Sequence, residues 1–73
     1  MNNRERLIQR TAQLEAHIAL KIRLQTFIEA LPRGPQVDET ERARAIDAIT
    51  HELKRLRSNL ASNRTRLTRL KAP

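Results

Sequence analysis

Along the second half of the chain, apolar side chains return every third or fourth residue. Ile46, Ile49, Leu53, Leu56, Leu60, Leu67 and Leu70 keep an alternating spacing of three and four, and Asn63 stands on the beat between Leu60 and Leu67. Residues three and four apart share one face of a helix, and strict alternation of those steps is the seam of a coiled coil. With Ile46, Leu53, Leu60 and Leu67 at position a, Ile49, Leu56, Asn63 and Leu70 take position d. The spacing predicts a long helix that meets another helix along this stripe.

The first half is less regular. Placed on a helical wheel of about 100° per residue, Leu7, Leu14, Ile18 and Ile22 centre on one direction. Leu20, Leu24, Phe27, Ile28 and Leu31 centre on another, well separated from the first. One neighbouring helix cannot cover both directions, so the pattern predicts a helix that packs on its own chain and on a second subunit.

Between the two periodic halves lies LPRGPQV, residues 31–37, with two prolines and the only glycine. Prolines this close cannot continue a helix, and Gly34 offers a position free to take positive φ. DETE follows. Asp38 is placed to accept hydrogen bonds from the first free amides of a new helix, Glu41 completes a capping-box spacing, and the acids complement the positive end of the helix dipole. The expected helices are about 3–31, capped by Asn2 or Asn3, and about 38–70, joined by a loop at 32–37. At 1.5 Å per residue each is roughly 45 Å long. The fold class is therefore all-α: an antiparallel two-helix hairpin of coiled-coil type, one domain over residues 1–73, dimerising into a four-helix bundle. Its assembly interface is expected to draw on Leu7, Leu14 and Ile18 of the first helix and on Leu53, Leu56, Leu60, Asn63, Leu67 and Leu70 of the second.

Two polar residues interrupt these apolar faces. An amide at a coiled-coil core position sacrifices stability and fixes register, because it is satisfied only by a polar partner across the seam. That is the expected role of Asn63. His17 lies at helical spacing with Leu20, Leu24 and Leu31. An antiparallel hairpin brings it beside position 52, near His51 and Glu52, as a hydrogen-bonded and partly exposed histidine.

Composition narrows the chemistry. A chain of 73 residues buries only about 60% of the surface its unfolded form exposes. Without cysteine there is neither a disulfide nor a thiolate metal site, and oligomerisation is the usual remaining source of stability. Two histidines without a supporting Asp or Cys pattern give no metal site, and HELKR carries Arg55 where a zinc-protease motif needs its second histidine. A single glycine excludes phosphate-cradling loops, Ser58 and Ser62 sit mid-helix without a base, and Glu39 and Glu41 read as capping residues. The chain is expected to be no enzyme, with no cofactor and no small-molecule substrate. The longest apolar run, Ile18-Ala19-Leu20, is far short of a membrane span, and the first ten residues hold no apolar signal core. A soluble, cytoplasmic protein is expected.

The charge is localised. Of the net +7, residues 1–31 contribute +2, residues 32–53 contribute −2, and residues 54–73 contribute +7 without one acid. Antiparallel packing adds Arg4, Arg6 and Arg10, with Glu5 as the nearby acid, to Lys54, Arg55, Arg57, Arg64, Arg66, Arg69 and Lys71. Ordinary surface helices alternate acids with bases, and like charges at neighbouring positions repel by a few tenths of a kcal/mol each. Twelve of the fifteen basic residues are arginine, whose planar fork suits phosphate. These ten residues are the expected nucleic-acid-binding set. With no aromatic side chain in the cluster, duplex DNA or structured RNA fits better than stacked single strands. The expected function is a small homodimeric accessory or regulatory factor that holds nucleic acid. The alternative is a coiled-coil adaptor or assembly protein that meets an acidic or helical protein partner.

Overall fold

Residues 2–35 and 38–71 are described in the computed structural model, Lys71 by its backbone alone. Two helices make up these residues, α1 at Asn3–Glu29 and α2 at Glu39–Lys71. Each begins where a side chain answers its free amides. Asn2 is extended (φ −85°, ψ 172°) and its Oδ1 accepts from the Glu5 amide at 2.8 Å. Asp38 Oδ1 accepts from Thr40 at 2.8 Å and from Glu41 at 3.4 Å, with Glu39 and Glu41 in the positive first turn.

The end of α1 falls two residues short of the expected Leu31. Ala30 keeps helical backbone (φ −84°, ψ −6°), and the turn then tightens, the Leu31 amide donating to Ile28 at 3.3 Å. Leu31 precedes Pro32, and the proline ring disfavours helical geometry in the residue before it. Gly34 does not use its freedom: no described glycine has positive φ, and a Cβ at Gly34 would meet nothing within 4 Å. The prolines, not the glycine, redirect the chain. Arg42 then ties the loop down, its Nη2 donating to the Leu31 carbonyl at 2.8 Å and to that of Pro32 at 3.2 Å. Gln36 and Val37 of the expected 32–37 loop lie outside the described residues.

The α2 stripe packs on α1 of the same chain. Ile49, Leu53, Leu56 and Leu60 are buried together with Ile18, and Leu14 and Ile28 pack against them. Ile46 and Leu67 are half-buried, and at the far end Leu70 is 51% exposed. Thus Ile18, Leu53, Leu56 and Leu60, read from sequence as assembly residues, are already consumed within one chain. The seam of α1 also differs from its apolar pattern. Residues 7, 11, 14, 18, 21, 25 and 28 are its buried or half-buried positions, an unbroken alternation of four and three that includes Thr11, Lys21 and Gln25. Ile22 is displaced outward, and Ile28 turns inward.

The polar seam residues join the helices as well. Gln25 Nε2 donates to Thr50 Oγ1 at 3.0 Å, and Lys21 Nζ lies 3.1 Å from Glu52 Oε2. Glu52 is also 3.8 Å from His17 Nε2, so of the two expected neighbours Glu52 meets the histidine. That separation is too long for the expected hydrogen bond. The result is a rod of 60 × 16 × 15 Å with a radius of gyration of 16.9 Å, against about 11 Å for a compact chain of this length. Its core is one side chain thick.

A second apolar stripe faces away from α2. Leu20 is 63% exposed and Phe27 64%, with Leu24 between them. Among the described residues no helix is long and apolar enough to cross a membrane.

Candidate nucleic-acid interface

The helical phase set by the seam divides the basic residues between two sides of the rod. On one side, α1 supplies Arg6 and Arg10 and α2 supplies Arg66 and Arg69, and the four line one open cleft of about 690 Å³ at the end of the hairpin away from the loop. Arg10 and Arg66 also line the next cleft along the rod, about 560 Å³, together with His17, Asn59, Ser62 and Asn63. The shared side chains make the two a continuous groove between the helices. No carboxylate lines either part.

The groove follows from local sequence. In α2, Asn59, Ser62, Arg66 and Arg69 recur at three- and four-residue steps, which places them on one helical stripe beside the seam. In α1, Arg6, Arg10, Gln13 and His17 recur in the same way and run antiparallel to it. Two polar stripes on facing helices, separated by the buried seam, form the walls of a channel.

The opposite side is less electropositive. Arg64 Nη2 donates to Glu15 Oε1 at 3.3 Å, both side chains being more than half exposed. This corrects the expectation that Glu5 is the only acid near the cluster: α1 presents Glu15 to the Arg64 side. Sequence counting missed it because residues 15 and 64 face one another only once both the register and the rotation of the two helices are known. Arg4, Lys54 and Arg57 are exposed and line neither cleft. Arg55 and Lys54 border a separate hollow with Glu52. The Lys71 side chain, also in the expected set, lies outside the described residues.

Asn63 is the groove's most enclosed polar residue. It is only 7% exposed, and its Nδ2 is buried with no hydrogen-bond partner. The expected polar partner across the seam is therefore missing within one hairpin. Thr11, the other buried polar seam residue, directs its hydroxyl to the Leu7 carbonyl at 2.7 Å. Leaving a buried donor unmet costs about 1–3 kcal/mol.

Glu52 is the group whose ionisation the fold clearly alters. The hydrogen bond from Lys21 holds its carboxyl below the ordinary 4.5, helped by the positive charges of Lys21, His17 and Arg55 and opposed by partial desolvation. It is a structural rung between the helices. Among the described residues no three His, Asp or Glu side chains gather as a metal-binding set. Comparison with protein-family models, with curated proteins and with solved structures yields no match to this chain.

Proposed function

We propose that the chain is a non-enzymatic homodimeric helical protein that holds duplex DNA or structured RNA through the arginine groove, as an accessory or regulatory factor. The observation that carries this reading is the convergence of Arg6, Arg10, Arg66 and Arg69 on one cleft without a lining carboxylate. Four guanidinium groups at close quarters repel one another, and a polyanion offsets that repulsion while accepting their hydrogen bonds. The elongated groove suits a backbone with charges in a row.

The dimer is supported by the outward stripe of Leu20, Leu24 and Phe27. Exposed apolar side chains at helical spacing are the usual mark of a helix that docks on another. Pairing α1 with α1 of a second copy buries this stripe symmetrically and keeps the two strongly basic α2 ends off the contact. The same stripe favours the second reading, an adaptor that receives an apolar helix of another protein.

Fluorescence anisotropy with a labelled short DNA duplex and a structured RNA hairpin tests the first reading across a salt series. Each lost phosphate contact lowers the slope of log K against log salt by about 0.9 on duplex DNA. Replacing Arg66 and Arg69 by Gln should lower it by nearly two such steps, whereas replacing Arg57 and Arg64 should have the smaller effect. Absence of binding at about 0.1 M salt, or equal loss from the two pairs, contradicts the assignment. Light scattering tests assembly: the protein should have twice the 8.5 kDa mass of one chain, and Phe27→Glu should return it to the monomer.

A further inference from the structure

The narrower part of the groove contains a donor that the hairpin itself does not use. Asn63 lies at a seam position where leucine would complete the apolar repeat, yet its Nδ2 is buried and unpartnered. Arg10 and Arg66 line the same cleft, as do the neutral donors Asn59 and Ser62. All four of these side chains are exposed.

We propose that this cleft seats a phosphate group, one oxygen accepting from Asn63 Nδ2 and the others from the Arg10 and Arg66 guanidinium groups. The assignment rests on the nucleic-acid reading and narrows it to a particular backbone position. Three considerations favour phosphate. The non-bridging oxygens of a backbone phosphodiester have no proton to donate, which suits a cleft whose arginine and amide nitrogens can only donate. Phosphate accepts from several directions at once, so two arginines on facing helices and an amide beneath them need not compete for one oxygen. The cleft, about 560 Å³ and open along the groove, has room for a phosphate together with the strand atoms on either side of it. The phosphate bridges α1 and α2, whereas the arginines further out hold the neighbouring charges of the same strand.

The Asn63 side-chain amide can be observed directly by NMR in uniformly ¹⁵N-labelled protein, titrated separately with inorganic phosphate and with the short DNA duplex. Both titrations should move the Asn63 NH₂ resonances, and Asn63→Asp, which places a carboxylate in the cleft, should weaken duplex binding by about tenfold or more. Duplex binding that moves the Arg66 and Arg69 side-chain resonances but leaves Asn63 unmoved overturns the phosphate seat and leaves the wider function standing. Phosphate that moves Asn63 while the duplex binds nowhere overturns the nucleic-acid reading and makes the seat one for a free phosphoryl group. Movement of Asn63 with neither overturns the seat outright. These readouts use the unaltered protein, so they do not depend on any variant folding.

Discussion

Replacing Asn63 by Leu should make the protein more stable. The substitution removes a buried donor that has no partner, a deficit of about 1–3 kcal/mol. It also adds an apolar side chain to the line of Leu53, Leu56 and Leu60, where full burial of Leu is worth about 1.5–3 kcal/mol. The neighbouring Leu67 is only half-buried, so the second contribution falls toward its lower end, and a net gain of about 2–4 kcal/mol is expected. For a chain of this size each kcal/mol raises Tm by about 4–8 °C, giving a rise of at least about 8 °C. Circular dichroism melts at two protein concentrations provide the assay, because association makes Tm concentration-dependent. Light scattering alongside shows whether the uninterrupted apolar seam recruits additional chains. A variant of unchanged mass that melts lower than the parent refutes the reasoning, since it means that the amide has a stabilising partner. If Asn63 also receives phosphate, the same variant gains stability while losing duplex affinity, an exchange common at functional positions.

Other outcomes follow from the loop and the rungs. Gly34→Ala should be neutral or stabilising by up to about 1 kcal/mol in urea unfolding, because the added methyl meets nothing and the unfolded chain loses freedom. A clear loss would mean that the turn needs glycine. Arg42→Ala should cost about 1–3 kcal/mol, because both hydrogen bonds that its Nη2 donates to the Leu31 and Pro32 carbonyls are lost; a urea midpoint equal to the parent's would contradict this. The folded-state pKa of Glu52 is depressed below 4.5, so the stability it contributes is present above that value and lost as pH falls through the folded pKa. Acid melts of the parent should therefore approach those of Glu52→Gln as pH falls below 4.5 and through the depressed folded pKa, and a constant difference throughout the acid range would count against the Lys21–Glu52 rung.

The helices were legible wherever one residue type carried a local signal. Asn2 and Asp38 act as caps through atoms within three residues of them, and the α2 stripe repeats without a gap over positions 46 to 60. The α1 seam was hidden because three of its seven positions are Thr11, Lys21 and Gln25. A search for apolar spacing passes over them, although a lysine or glutamine stem can cover a seam while its head reaches Glu52 or Thr50. This also explains the reassignment of Ile22 and Ile28, whose phase is set by α2 rather than by the nearest apolar neighbour. The basic cluster was legible as a count, but its division into a groove and an opposite face was not. That division depends on how far each helix turns about its axis, which is why the Glu15–Arg64 contact could not be read from charge alone.

The thinness of the rod bears on how it moves. The tightly buried rungs, Leu53 at 4% exposure among them, occupy its middle, while Arg42 fastens the loop end. At the other end Leu70 is half exposed, and arginines of the same sign stand on both arms. Like charges therefore push the two arms apart at the open end, against a core one side chain thick. Added salt screens that repulsion over a Debye length of about 8–10 Å, so the open end of the hairpin should be the part of the rod whose stability rises most with ionic strength.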